Sequence, residues 1–417
     1  MRHGRAVVTL DHIDLTDLDR FTTGFPHHDF DVLRREAPIW WHAPTDHTPG
    51  GEGFWVLSRY DDIVAVATDS TGFSSEGGGD REGGGTTLED MPRGSAVGSL
   101  LNMMDDPRHA KIRKQLAPST TPRALRAMEA ELAERATTIV ESAIAKQDCD
   151  FLVDVAAELP LQAVARLAGV PQADRHELMN WANVILDYDD REVGETNDRL
   201  QAAHARMFTY GVELLERKRA APGDDLLSVV TQAIIDGRPL TEHEQRLFLS
   251  LIIAAGSETT RNSIAHGMAA LVERPDVWER LRADGSLLPN AVEEILRWSS
   301  STPYNRRTAT RDVDLRGRHI AAGDKVTLWW SSANRDETVF DDPHVFDIER
   351  TPNPHLSFGR GVHFCLGASL ARMEIRMMFE TLLDRVDRIE MSGPVEYVRS
   401  NKHTGVRHMP VRIVATH

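Results

Sequence analysis

A chain of 417 residues, 41% hydrophobic and 27% charged, can bury an ample core without a disulfide or structural metal. That composition excludes wholesale disorder and a fibrous repeat, and two cysteines, Cys149 and Cys365, cannot build a disulfide framework. A net charge of -16 argues against nucleic acid or an anionic membrane as a general partner, since both need positive surface.

The first twenty residues carry a short apolar patch broken by charges and no signal-peptide core. The longest apolar run, 247–255, falls far short of the ~20 residues a bilayer requires. The protein is therefore expected in the cytoplasm, as one domain over residues 1–417 with 1–14 as an N-terminal extension. Short alternating stretches at 53–57 and 313–328 predict small sheets near the two ends of a helical block over 122–386. Between them, the glycine-rich patch 77–85 lacks the Gly-Lys-Ser/Thr ending of a phosphate loop and reads as a flexible loop. No GxGxxG run occurs, so a fused flavin or nicotinamide domain is not expected.

His109 and Arg113 stand one helical turn apart after Asp105, Asp106 and Pro107. They can clamp carboxylates, and an exposed basic face explains them equally well. Cys149, beside Gln147, Asp148 and Asp150, reads as a small hydrophobe at a helix end or turn. Thr241 followed by Glu244 forms a capping box, and the helix it opens can run to about Arg274, where Pro275 is a stop. Inside that helix lie Ala255, Gly256, Ser257, Glu258, Thr259 and Thr260. Glycine in a helix interior costs ~1 kcal/mol against alanine, so something is expected to approach the backbone closely there; a defect tolerated by packing reads as well. Glu294 and Arg297 are an acid and a base at i and i+3, a spacing common on any helix surface.

The last feature is Phe358, Gly359, Arg360, Gly361, Val362, His363, Phe364, Cys365, Leu366 and Gly367, with a helix predicted just after Cys365. A sulfur at a helix N-terminus meets unpaired amides and the positive dipole end, which favours thiolate and hence a soft metal. Zinc could draw on His355, His363 and Cys365, but a fourth ligand at standard spacing is missing. The glycines and the flanking Phe358 and Phe364 suit a flat apolar partner better.

Taken in this order, these segments resemble the cytochrome P450 superfamily of haem-thiolate monooxygenases, in its soluble bacterial form. Phe-Gly-x-Gly-x-His-x-Cys-Leu-Gly resembles its cysteine loop, Ala-Gly-x-Glu-Thr its oxygen-activating helix, and Glu294 with Arg297 its Glu-x-x-Arg pair, with Arg350 as third member. The segments 101–109 and 332–336 are typical of the bacterial type, and the likeness runs from about Leu15 to the C-terminus. The implied fold is mainly α with small β-sheets, the haem lying between the long distal helix and the cysteine-loop helix.

The resemblance implies haem b (iron protoporphyrin IX) as cofactor, with Cys365 as axial ligand. Phe358 and Gly359 would pack near the sulfur, and Gly367 would let the backbone pass beneath the haem. His109, Arg113, Arg307 and His363 match positions that contact the propionates. Ala255, Gly256, Glu258 and Thr259 would line the dioxygen site, Thr259 steadying dioxygen and water while Glu258 delivers protons. Many relatives carry aspartate at the position of Glu258, which leaves the proton route open. Pocket walls are expected from Leu100, Met103, Ile252, Ala255, Ser301, Thr302 and Tyr304, and from residues 186–195.

The implied reaction hydroxylates a hydrophobic small molecule, of lipid, steroid or terpenoid character, with two electrons from a ferredoxin and its NAD(P)H-driven ferredoxin reductase. Arg108, Lys111, Arg113, Lys114, Arg360, Arg372 and Arg376 could steer that acidic partner; a solvated face with propionate contacts explains them equally. A peroxygenase is the rival reading, against which the Glu258–Thr259 pair speaks. A non-catalytic haem sensor is another.

Overall fold

The computed structural model describes residues 9–186 and 196–416. Six helices frame the cavity described below: α1 (Arg108–Leu116), α2 (Pro122–Lys146), α3 (Glu158–Ala168), α4 (Glu242–Val272), α5 (Leu288–Ser299) and α6 (Ala368–Arg385). Helix α2 starts on Thr121, whose side chain accepts from the Ala124 amide, with Pro122 in the first turn. Its buried stripe, Leu125, Met128, Leu132, Ala136 and Ile139, recurs every three or four residues and lies on α6. Helix α4 opens with the predicted Thr241–Glu244 capping box and spans 31 residues, about 46 Å at 1.5 Å per residue. It ends at Val272, two residues before the expected stop, and Pro275 begins the next helix.

Helix α4 runs through the molecule between α3 and α5. Ile264, Met268 and Leu271 of α4 share one core cluster with Leu132 of α2, Ile295 of α5 and Phe379 of α6. Removing one such side chain to alanine costs about 2–5 kcal/mol, so this cluster fixes how α4, α5 and α6 sit around the cavity.

The main sheet holds β1 (Ile39–His42), β2 (Phe54–Leu57), β3 (Phe73–Ser74), β4 (Tyr304–Ala309) and β5 (Lys325–Trp329), in the order β1-β2-β5-β4-β3. β5 pairs parallel with β2 and antiparallel with β4, Val326 standing opposite both Trp55 and Arg307. The predicted stretch 313–328 divides into a hairpin, Val313–Leu315 with Arg318–Ile320, and β5. Cys149 lies in a short strand, Asp148–Asp150, rather than a turn. Burial and the nearby aspartates push its thiol up to about 11, an inert group.

The glycine-rich patch is not slack. Gly83–Gly84 pairs with Met91–Pro92, and Arg81 bridges Glu52 and Asp90. A Cβ on Gly84 would fall 1.5 Å from the Glu76 carbonyl oxygen, so the glycines there serve close backbone approach. Of the expected extension, residues 1–8 lie outside the described residues, while Ile13 is buried in the cluster around Phe30 and Trp329. Among the described residues no helix is long and apolar enough to cross a membrane.

Candidate active site

A cavity of about 340 Å³ opens between α4 on one side and the cysteine loop with α6 on the other. Of the two cysteines only Cys365 lines it. The loop that carries Cys365 is closed by its own backbone: the Cys365 amide donates to the Phe358 carbonyl at 2.9 Å, and the Gly359 amide to the Leu356 carbonyl at 2.8 Å. Gly361 has φ of +77°, and a Cβ there would meet the Ala67 carbonyl oxygen at 2.3 Å, so no other residue fits. The Arg372 guanidinium lies 4.5 Å above the Phe358 ring, and the Phe358 and Phe364 rings stand 6.1 Å apart.

Cys365 faces the cavity, yet protein packs closely around its sulfur. That burial pushes the thiol up, and the Gly367 amide, Arg113 and Arg372 pull it back only in part. Helix α6 begins at Ala368, so what favours the thiolate here is the Gly367 amide with Arg113 and Arg372, set against desolvation of the sulfur. A metal ion deprotonates such a thiol outright.

At one end of the cavity four nitrogen-bearing side chains converge. Arg307 on β4 is buried, which pushes its guanidinium down to about 10; its Nη1 donates to the Arg306 carbonyl at 2.9 Å. Burial also lowers Arg113 on α1. Among the described residues neither arginine is ion-paired to a carboxylate. The His363 ring sits 4.4 Å from that of His109, and burial together with Arg307, His109 and Arg113 holds its imidazole at about 3. His109 Nδ1 lies 3.2 Å from Asp106 Oδ1, and His363 Nε2 3.1 Å from Ser75 Oγ. Buried cations without counter-charge ask for an anion.

Across from the sulfur, Ala255, Gly256 and Thr259 line the cavity, as expected. Thr259 Oγ1 donates to the Ala255 carbonyl at 3.0 Å. A Cβ on Gly256 would lie 2.5 Å from Val164 Cγ2, so this glycine lets α3 approach α4 as well as opening the wall. Glu258 does not line the cavity. A helix turns 100° per residue, and its buried carboxylate points away from the Thr259 face, to Asn262 Nδ2 at 2.5 Å and His403 Nδ1 at 3.5 Å.

Ile252, Ser301 and Thr302 line the pocket, whereas Leu100, Met103 and Tyr304 do not. Leu101–Met103 is a 3-10 turn that follows an extended Leu100; Met103 is buried in the protein, Leu100 is half-buried away from the cavity, and Leu101 and Asn102 face it. Tyr304 packs tilted against Trp329, ring centres 4.5 Å apart, because strand residues alternate: Asn305 and Arg307 point in, Tyr304 and Arg306 out. That alternation is the signal that would have found Asn305. Trp330, Val164, Phe248 and Glu374 also line the cavity and were not anticipated. Residues 187–195, expected in the pocket wall, lie outside the described residues.

The alternative zinc set is not assembled: His355 Nε2 faces Glu293 at 3.1 Å and His363 faces Ser75. Among the described residues no group of three His, Cys, Asp or Glu side chains is placed to hold a metal ion. Glu294, Arg297 and Arg350 do form the expected network beneath the cysteine loop. The expected basic patch is largely neutralised. Arg108 pairs with Glu244, Lys111 with Asp236, Arg372 with Glu293, and Arg376 with Glu129 and Glu380. Among the described residues, Lys114 and Arg360 of that patch remain exposed without a carboxylate partner, as does Arg126 beside Arg372 and Arg376, which was not anticipated.

The family model for cytochrome P450 matches residues 110–392. The chain belongs to the cytochrome P450 family. It is 49% identical over 408 residues to cytochrome P450 126 of Mycobacterium tuberculosis, covering 97% of this chain and 98% of that one. It is 40% identical to the methyl-branched lipid omega-hydroxylase of Mycobacterium tuberculosis, with 92% of this chain and 90% of the relative covered. Among solved structures, the Mycobacterium marinum cytochrome P450 CYP268A2 in complex with pseudoionone superposes with a TM-score of 0.88 at 34% identity, over 98% of this chain and 100% of that one.

This cytochrome P450 is a monooxygenase whose cofactor is haem b on a cysteine thiolate. The residues present fit that group. Buried Arg307 and half-buried Arg113, neither ion-paired to a carboxylate among the described residues, suit its two propionates, a lone cavity cysteine suits its iron, and apolar walls suit its flat ring. When bound, haem activates dioxygen, so that one oxygen atom enters a C–H bond and the other leaves as water.

Proposed function

We propose that this P450 hydroxylates a lipid- or steroid-like molecule, with Cys365 as axial ligand and a ferredoxin with its NAD(P)H-driven reductase as electron source. The observation that carries the reading is the convergence of Cys365, Thr259 and the Arg113–Arg307 pair on one cavity. In this assignment Arg307, Arg113, His109 and His363 anchor the propionates, and Phe358, Gly359 and Gly367 shape the floor around the sulfur. Thr259, with Ala255 and Gly256 beside it, steadies dioxygen and its water. Glu258 is turned towards Asn262 and His403 behind that wall.

The substrate class is supported by the lining and by relatives. Leu101, Leu116, Phe248 and Ile252 are apolar, with Asn102, Thr302 and Asn305 as isolated polar points that can orient one end of a hydrophobic molecule. One relative is a methyl-branched lipid omega-hydroxylase, and another, from Rhodococcus jostii at 37% identity over 95% of this chain, is a steroid C26-monooxygenase. For the ferredoxin, a surface groove between α2, α5 and α6 is floored by Leu125, Val292 and Met373 and edged by Arg126, with Arg372 and Arg376 on the same rim paired to Glu293 and Glu129. We place the working enzyme in the cytoplasm, where both unpaired cysteines stay reduced.

The test is turnover of branched fatty acids and steroids with a ferredoxin system under labelled dioxygen. One labelled oxygen per product is expected, and Thr259→Ala should divert most electrons to hydrogen peroxide. Turnover supported by peroxide but never by ferredoxin would make the protein a peroxygenase instead.

A further inference from the structure

The charged side chains that face the cavity all lie on its cofactor side. Arg113 and His109 come from α1, Arg307 from β4, Arg360 and His363 from the cysteine loop, and Glu374 from α6. Among the described residues, the wall formed by Leu101 and Asn102, α3, α4 and residues 301–302 carries no charge, only apolar side chains, hydroxyls and one amide. That amide is Asn102. It is half-buried, its Oδ1 is shut off from water, and among the described residues neither end of the amide has a hydrogen-bond partner. Asn305 differs, since its Oδ1 accepts from the Trp330 indole at 2.9 Å. The terminal torsion of an asparagine is broad, so either end of the Asn102 amide can turn to the cavity without breaking a bond within the protein.

Its neighbour Leu101 belongs to the core cluster that holds Phe248, with Leu251 and Ile252 packed against it. These three precede Thr259 on α4 by seven to eleven positions, about 10–16 Å along the axis at 1.5 Å per residue. A molecule whose reacting carbon lies between Thr259 and Cys365 therefore brings its far end to Asn102. An amide offers an acceptor and two donor hydrogens. A hydroxyl can give its proton to Oδ1 or accept one from Nδ2, so it fits the amide in either orientation. A carboxylate only accepts, and it would shed its water where no cation stands to meet it. A hydrocarbon end excludes water from the amide and returns no hydrogen bond.

We propose that Asn102 selects the polar end of the substrate, and that this end is a neutral hydroxyl rather than a carboxylate, as in a sterol or a terpenoid alcohol. The inference rests on the monooxygenase reading and narrows the substrate class within it. Asn102 makes the choice by what it leaves unmet: an alcohol completes the amide, an acid adds a charge without a partner, and a hydrocarbon completes nothing.

Farnesol, farnesoic acid and farnesene share one carbon skeleton and differ at that end, which makes them the probes. Their dissociation constants for the holoenzyme, read by spin-state shift and by calorimetry, should rank farnesol tightest. Farnesene should bind about tenfold more weakly, the effect of one lost hydrogen bond, and farnesoic acid at neutral pH more weakly still. Asn102→Leu should bring farnesol to the level of farnesene while leaving farnesene affinity and haem content unchanged. Asn102→Ala should do the same and serves where the Leu variant folds poorly. Equal affinity for all three probes, binding of none, or farnesoic acid tighter than farnesol overturns the assignment, as does a preference for farnesol that survives in both variants. Haem lost from either variant as fast as from Arg307→Gln would give the amide to the cofactor and overturn it too. A parent that makes no oxygenated product from any lipid or steroid with any electron supply overturns the monooxygenase reading; the ranking of the probes, which needs no turnover, still decides the role of Asn102.

Discussion

Glu294 accepts two parallel hydrogen bonds from Arg297, Nε at 2.8 Å and Nη2 at 2.7 Å, with neither side chain exposed. Arg350 Nε approaches the same carboxylate at 3.3 Å. The guanidinium of Arg297 also donates to the Asn334 and Pro343 carbonyls at 2.8 Å and to Val345 at 3.0 Å. A pair spaced i and i+3 on α5 thus ties down the segment that leads into the cysteine loop.

Arg297→Ala leaves the Glu294 carboxylate buried with too few partners, which costs about 3–5 kcal/mol for a pair of this kind. The free energy of denaturant unfolding should fall by that amount and haem content with it. A loss below about 1 kcal/mol would show that the clamp does not hold the loop.

Arg307→Gln should weaken haem retention by about 10- to 100-fold, the effect of losing one charge-assisted hydrogen bond. Transfer of haem to an acceptor apoprotein measures this directly. Arg306→Gln is the control, because Arg306 turns outward to Asp90 at 2.8 Å. Its loss should lower stability and leave haem transfer at the parent's rate.

Cys365→Ala should remove the strongly red-shifted Soret band of the reduced carbon-monoxide complex and abolish hydroxylation. The fold should survive, since the loop is closed by backbone hydrogen bonds rather than by the sulfur. Circular dichroism and the visible spectrum together separate the two effects.

Acid stability should report on Glu293. Burial pushes this carboxyl up, but the Arg372 guanidinium and His355 more than offset it and hold it at about 2, against an ordinary value near 4.5. A depressed carboxyl binds protons less readily when folded. Its stabilisation is therefore complete above about pH 4.5 and is lost as pH falls towards 2. The stability difference between the parent and Glu293→Gln should be flat at neutral pH and shrink across that window. A difference independent of pH down to 2 would refute the assignment.

Lys114→Glu and Arg126→Glu should slow reduction by an acidic ferredoxin, most at low ionic strength. Arg108→Glu should do so less, because its charge is already met by Glu244. Equal rates for all three variants at every salt concentration would move the docking surface elsewhere.

The sequence made the framework legible wherever local chemistry dictates it. The Thr241 capping box, the glycines of the cysteine loop and the Glu294–Arg297 spacing each found their structural counterpart. Directions of side chains were harder to read. Tyr304 and Met103 were assigned to the pocket by nearness in sequence, while strand alternation and a 3-10 turn aim their neighbours inward instead. Glu258 was placed by its neighbour Thr259, although one residue along a helix is a 100° turn. Ion pairs between distant segments, such as Arg376 with Glu129, cannot be seen in a linear reading, so the basic patch looked more open than it is. Glu374 gave no signal at all, because only tertiary packing strips a helix glutamate of its partners.

The inward and outward alternation of β4 divides mutational risk along a single strand. Asn305 can change to reshape the substrate end of the cavity, whereas its neighbours Tyr304 and Arg306 belong to the scaffold behind it. A one-residue insertion or deletion upstream in the strand would exchange the two faces at once, presenting Arg306 to the cofactor and burying Arg307 in the scaffold. Diversification of this wall, by evolution or by library design, is thereby confined to point substitutions at every second position.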